Sequence, residues 1–250
     1  GHFTDATSEI CPAIAHTGMV TDAAWVDVNG DKVKDLLVVG EWMPVRVFVN
    51  SGGKLVDRSP EFIHFSSTGW WNRVLTADFD NDGDDDIVLG NTGLNTQFHV
   101  KPRQPFTLYF NDFDKNGSVD PVLCYYINDT AYPAASRDDL TAQLPMLKKK
   151  FLQYSSYANA GIGDLFTGEQ LKDAQVLHAE TMQTVFLQND NGKGLTEKKL
   201  PQEIQYAPIY ALRAMDINHD GKPDLVAAGN QSWTRIKFGR YRANHCMALL

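Results

Sequence analysis

Four nine-residue segments of this sequence align without gaps, and they restrict the fold more than any other feature. They are Asp27-Val-Asn-Gly-Asp-Lys-Val-Lys-Asp35, Asp78-Phe-Asp-Asn-Asp-Gly-Asp-Asp-Asp86, Asp112-Phe-Asp-Lys-Asn-Gly-Ser-Val-Asp120 and Asp216-Ile-Asn-His-Asp-Gly-Lys-Pro-Asp224. Positions 1 and 9 are Asp, and positions 3 and 5 are Asp or Asn. Position 6 is Gly83, Gly117 and Gly221 in three copies; the first copy has Lys32 there and Gly30 at position 4. Strand-like runs precede the loops (23–26, 73–77, 106–110, 210–215), and others follow them (36–40, 87–90, 121–126, 225–229). A repeated strand, acidic loop and strand predicts a radial or solenoid β architecture.

The oxygen spacing fits calcium, which takes six to eight hard oxygen ligands in flexible geometry. Side chains at positions 1, 3, 5 and 9 and the main-chain carbonyl at position 7 can converge on one ion. The expected ligand sets are Asp27, Asn29, Asp31, Val33 and Asp35; Asp78, Asp80, Asp82, Asp84 and Asp86; Asp112, Asp114, Asn116, Ser118 and Asp120; and Asp216, Asn218, Asp220, Lys222 and Asp224. Magnesium, which dehydrates reluctantly, fits such all-protein sets poorly. An EF-hand begins the same way but needs Glu at position 12 and a helix on each side. Position 12 is Val38, Leu89, Leu123 and Ala227, so that reading fails in every copy. Metal-free Asx-rich hairpin turns are the alternative. Fourfold recurrence of the same oxygens, and the repulsion among carboxylates so close together, argue against it. About four Ca²⁺ would bring the net charge of −8 close to zero.

The loops begin at 27, 78, 112 and 216, so the intervals are 51, 34 and 104. The first suits a four-stranded propeller blade, in which strands 36–42, 45–49 and 54–57, with a turn at 50–53, follow the loop. The second is too short for one: either that blade is abbreviated or residues 106–127 supply its outer hairpin. The third is too long, and its excess is read as a helical insertion at 129–180, within the third blade. Helix is expected from Asp138 to Phe151 and from Gly168 to Ala174, with Lys148, Lys149 and Lys150 on a solvated face. The fold class predicted is all-β: four-stranded antiparallel blades forming one propeller, or part of one, across 1–250. Phe3–Thr7 reads as an outermost blade strand and Asn244–Leu250 as a third strand. The two either close one blade together or adjoin blades outside this sequence.

Composition narrows the function. The chain has 250 residues, 43% hydrophobic and 22% charged, which is ordinary for a globular protein with a sizeable core. Lys and Arg number 23 against 31 Asp and Glu, a balance that disfavours nucleic acid as a partner. No apolar run is long enough to span a membrane, and no signal peptide is visible. The ends suggest a piece of a larger protein. Cys11, Cys124 and Cys246 make no disulfide framework and have no zinc spacing.

With the acidic loops, the runs Leu36-Leu-Val-Val-Gly-Glu-Trp-Met-Pro44, Gly69-Trp-Trp-Asn72, Gly90-Asn-Thr-Gly-Leu-Asn95 and Pro133-Ala-Ala-Ser-Arg-Asp-Asp139 resemble the FG-GAP/VCBS repeat proteins. The branch most similar is the one that often carries an ASPIC/UnbV domain, a segment absent here, and that includes cartilage acidic protein relatives. The resemblance covers nearly the whole chain. It implies a calcium-binding β-propeller, extracytoplasmic and often on the surface of Bacteroidota. Lys32 departs from the family's glycine and puts the first loop's affinity in question.

A non-catalytic binding, adhesion or scaffold module is therefore expected, its partner a protein or glycan on one propeller face. Trp42, Trp70, Trp71 and Trp233 are candidate contacts, since aromatic side chains anchor interfaces; packing within the core is the other role open to them. The alternative is a carbohydrate-active enzyme resembling propeller polysaccharide lyases. His64, His99, His178, Arg137 and Tyr210 are available, but no spacing joins them and no nucleophile, zinc or phosphate motif is present. A purely structural spacer within a larger surface protein is the third possibility.

Overall fold

The computed structural model describes residues 2–101, 103–234 and 238–250. The chain divides into two compact units, one of residues 1–97 and 181–250 and the other of residues 98–180.

In the first unit, β1 (Met19–Val26), β2 (Asp35–Met43), β3 (Arg46–Ser51) and β4 (Lys54–Asp57) pair in that order as an antiparallel sheet. The β3–β4 hairpin turns on Gly52 and Gly53, both at positive φ, as a two-residue turn of this hand requires. A short strand, β5 (Gly69–Trp70), pairs with the far end of β2. Next come β6 (Arg73–Ala77) and β7 (Asp86–Gly90), joined by the second acidic loop.

The second unit follows. Here β8 (Phe106–Asn111), β9 (Asp120–Ile127), β10 (Thr130–Pro133) and β11 (Gln175–Ala179) form a sheet in the order β10-β9-β8-β11. Between β10 and β11 the chain is helical, with its main helix at Arg137–Gln143 and short ones at Tyr154–Ala158, Ile162–Leu165 and Gly168–Lys172. Ser136 caps the first of these by accepting from the Asp139 N–H. Leu140, Leu144, Leu147 and Phe151 pack on Val122 and Cys124 of β9.

Back in the first unit, β12 (Val185–Asn189) pairs with β7, and β13 (Leu195–Lys198) completes the order β13-β12-β7-β6. The last sheet has β14 (Ala211–Met215), β15 (Asp224–Ala228) and β16 (Met247–Leu249).

Within the first unit the sheets stack face to face, and residue alternation explains how. Ile87 and Leu89 of β7 join Leu37, Val39, Val47, Trp71 and Leu187 in one core. Val88 points the other way, to Ile204, Ile209, Leu212 and Leu225. The outer face of the first sheet, Leu36, Val38, Met43 and Phe48, is covered by Cys11 and Ile14.

Three sequence expectations are corrected here. Residues 106–127 do not supply the outer hairpin of the second loop's sheet; β12 and β13 do, after an excursion through residues 98–180. Thr7 begins a short helix at Thr7–Ile10, followed by a 3₁₀ turn at Pro12–His16, so Phe3–Thr7 is no strand and β16 does not pair with it. The helix expected across 138–151 breaks at Leu144, where Pro145 begins a 3₁₀ turn.

Candidate metal centres

All four acidic loops share one backbone. Position 4 is left-handed in each (Gly30, Asn81, Lys115, His219), and so is position 6 (Lys32, Gly83, Gly117, Gly221). The first loop therefore adopts the common shape despite its lysine, with φ 66° at Lys32.

The hydrogen bonds repeat as well. The position 1 carboxylate accepts loop N–H groups on both oxygens: from Asn29, Gly30 and Lys32 at Asp27 (3.2, 2.8 and 2.7 Å), and from Asp82 and Gly83 at Asp78 (3.1 and 3.0 Å). Asp112 and Asp216 follow Asp78, each accepting from its own fifth and sixth residues, one on each oxygen. The side chain at position 3 accepts from the N–H of position 5, and that at position 5 from the N–H of position 7. In the second loop the side-chain oxygens of positions 1, 3 and 5 come together.

Position 9 has a different environment. Asp35, Asp86, Asp120 and Asp224 are buried, whereas most of the other loop carboxylates are half-buried or exposed. Each accepts from the N–H of its own position 2: Val28 (3.0 Å), Phe79 (3.2 Å), Phe113 (3.1 Å) and Ile217 (2.8 Å). In the first two loops the other oxygen takes the N–H of Asn50 or Asn189, on the third strand of the same sheet. Position 9 thus ties the loop to its sheet. Burial pushes Asp86 up to about 6, against those two N–H bonds and with help from Asp80 and Asp82. Burial likewise raises Asp35 and Asp120.

Two loops gather three carboxylates with one oxygen of each within 4.8 Å of the others: Asp78, Asp80 and Asp82, and Asp112, Asp114 and Asp120. Loops one and four have Asn29 and Asn218 at position 3, whose amides donate to Asp31 (3.1 Å) and Asp220 (3.0 Å). Every side-chain donor at positions 1, 3, 5 and 9 is a hard oxygen, which fits calcium.

Sequence reasoning missed the partners around the second loop. Gln188 donates to Asp80, and the Asn191 N–H donates to Asp84. The fully buried Asn189 donates its side-chain N–H to the carbonyls of Asp27 (2.9 Å) and Asp85 (3.3 Å), so it bridges the first two loops. Lys34 meets Asp85 at 2.6 Å, and Asn81 reaches the Gly221 carbonyl of the fourth loop at 2.9 Å. The turn residues 189–192 were legible, but not their destination.

The other candidates scatter. Trp71 is fully buried with its indole N–H on the Ser67 carbonyl, so it is a core residue and not a surface contact. Trp233 is 98% exposed. Arg137 holds the carbonyls of Phe151 and Leu152, and His178 meets the Thr107 hydroxyl at 3.3 Å; both serve the second unit's own structure. His64 and His99 are exposed. No helix among the described residues is long and apolar enough to cross a membrane.

Fold and site together define a mostly β repeat protein of antiparallel sheets whose strands are joined by acidic loops. Residues 27–89, from the first loop to β7, match the family model of the FG-GAP-like repeat, so this segment is an FG-GAP-like repeat. No curated protein matches the chain.

Proposed function

We propose that the chain is a calcium-stabilised, β-propeller-like binding module of an extracytoplasmic protein, non-catalytic, with about four Ca²⁺ held by the acidic loops. Its partner would be a protein or glycan. The observation that carries this reading is the loop backbone shared in four places, which in two of them gathers three carboxylates. The ligands would be the side chains at positions 1, 3 and 5, joined by position 9 where it lies in the cluster, as Asp120 does. Calcium would supply the positive charge that lets these carboxylates sit together. The stacked sheets and the FG-GAP-like repeat favour a blade arrangement, with the helices of 137–172 as an insertion in the sheet of the third loop. The test is calorimetric titration of the metal-stripped chain with calcium. A stoichiometry near four is expected, and no binding at millimolar calcium would overturn the reading.

A further inference from the structure

Two motifs outside the acidic loops, Gly40-Glu-Trp-Met-Pro44 and Gly69-Trp-Trp-Asn72, meet at the opposite end of the first sheet. The acidic loop enters β2 at Asp35, whereas Glu41 and Trp42 lie near the other end of that strand. Glu41 pairs directly with Trp70 of β5, which sets their side chains on one face. Strict alternation would send Trp42 to the opposite face. Instead the pairing slips between Glu41 and Met43, and Trp42 takes a φ of 59°. Its ring thereby meets Trp70 edge to face, with centroids 4.9 Å apart and planes at 73°. A left-handed backbone at a bulky residue is strained, and such strain concentrates at ligand clamps.

Both rings are half-buried, so each keeps some surface in solvent, and Glu41 is exposed with no ion pair among the described residues. Tyr210, 41% exposed, lies close enough that the Glu41 carboxylate adds to the effect of burial in raising its hydroxyl pKa. The pairing and the ring contact thus bring two angled indoles and one carboxylate to the same end of the sheet. That arrangement suits a weakly hydrated cation, which gains from aromatic faces without surrendering a tight water shell.

We propose that Glu41, Trp42 and Trp70 form a binding site for an alkylated ammonium group. This rests on reading the chain as a binding module and specifies what one face of it takes. The group belongs either to a small quaternary amine or to a methylated lysine on a partner protein; the chemistry is shared.

The test is a fluorescence titration of the chain with tetramethylammonium, using tert-butanol as the uncharged isostere. Tetramethylammonium is expected to bind about tenfold or more tightly than tert-butanol. Trp42→Gly suits the left-handed backbone, so it removes the ring while keeping the turn of the strand; it should weaken binding about tenfold. Trp70→Leu and Glu41→Gln should each weaken it several-fold. Choline and a trimethyllysine peptide are then compared, and the tighter binder identifies the source. Equal binding of tetramethylammonium and tert-butanol, or wild-type binding by Trp42→Gly and Trp70→Leu, would overturn the proposal. So would an oligosaccharide that binds through Trp42 where tetramethylammonium does not. Melting the same samples with and without calcium keeps the two readings apart: a calcium response without ammonium binding removes this site alone, and the reverse removes the calcium assignment alone.

Discussion

The loops at 27–35 and 78–86 share a backbone down to their two left-handed residues, yet they carry different charge. The first holds three Asp and two Lys, a sum of −1; the second holds six Asp and no base, a sum of −6. Each anchors its buried ninth carboxylate on the third strand of its own sheet. The hydrogen-bond frame therefore sets the shape of both, and the carboxylate count sets how much each depends on a cation. The first loop can hold its shape with little help, while the second concentrates repulsion that a metal would relieve.

Calcium removal should produce the largest effect. A ligand bound only to the folded state adds about 2.7 kcal/mol per site at a hundredfold excess over Kd. Chelation is expected to lower the melting temperature, and amide exchange should rise more in 78–86 than in 27–35. Equal exchange in the two loops, with metal removal verified by elemental analysis, would break the comparison.

The ninth carboxylates come next, and here the two loops should behave alike. Asp86→Ala strands the N–H groups of Phe79 and Asn189, and Asp35→Ala those of Val28 and Asn50. Each unsatisfied buried group costs about 1–3 kcal/mol, so each variant should lose roughly 2–6 kcal/mol in urea unfolding. The same carboxyl gives a pH signature. Its folded pKa, about 6, lies above the ordinary 3.8. Its contribution is therefore fully present below about 4 and is lost as pH rises through about 6. In chelator, acidification from pH 7 to 5 should raise wild-type stability relative to Asp86→Asn. A pH-independent difference between the two would remove this role.

The acidic loops and their flanking strands were legible because the chemistry is local: nine residues fix the oxygens, and apolar runs fix the strands. The pairing of β7 with β12 was not, since residues 98–180 intervene and no local pattern marks which sheet Val185–Asn189 joins. The left-handed position 4 was hidden too, because Gly, Asn, Lys and His occupy it and only the first favours that backbone strongly. Trp71 looked like its neighbour Trp70, but the chain's alternation buries one and leaves the other half-exposed.

A smaller effect separates the loops by ligand charge. Asp80→Ala removes a carboxylate from the trio with Asp78 and Asp82, whereas Asn29→Ala removes a neutral oxygen. Calcium affinity is expected to fall about tenfold more in Asp80→Ala, as ligand charge is among the terms that tune such sites. Asp114→Ala should fall between them, its loop having Asn116 at position 5. Calorimetry that returned the reverse order would show that ligand charge does not rank the loops' affinities.

The smallest effect concerns the sixth position, where the loops make opposite choices. Gly83 has φ 100° and open space around the site of a Cβ, so Gly83→Ala meets no clash and pays only for its backbone. That cost is about 1–2 kcal/mol. Lys32 already bears a similar strain at φ 66°. Lys32→Gly would relieve it, offset by the roughly 0.5–1 kcal/mol of extra chain entropy that glycine loses on folding. The expected result is a net gain of up to about 1 kcal/mol, measured as a higher urea midpoint in chelator, against a lower midpoint for Gly83→Ala. A loss in Lys32→Gly would mean that the lysine charge, set among Asp27, Asp31 and Asp35, stabilises the first loop by more than its backbone costs. The contrast between the two loops would then be one of electrostatics alone.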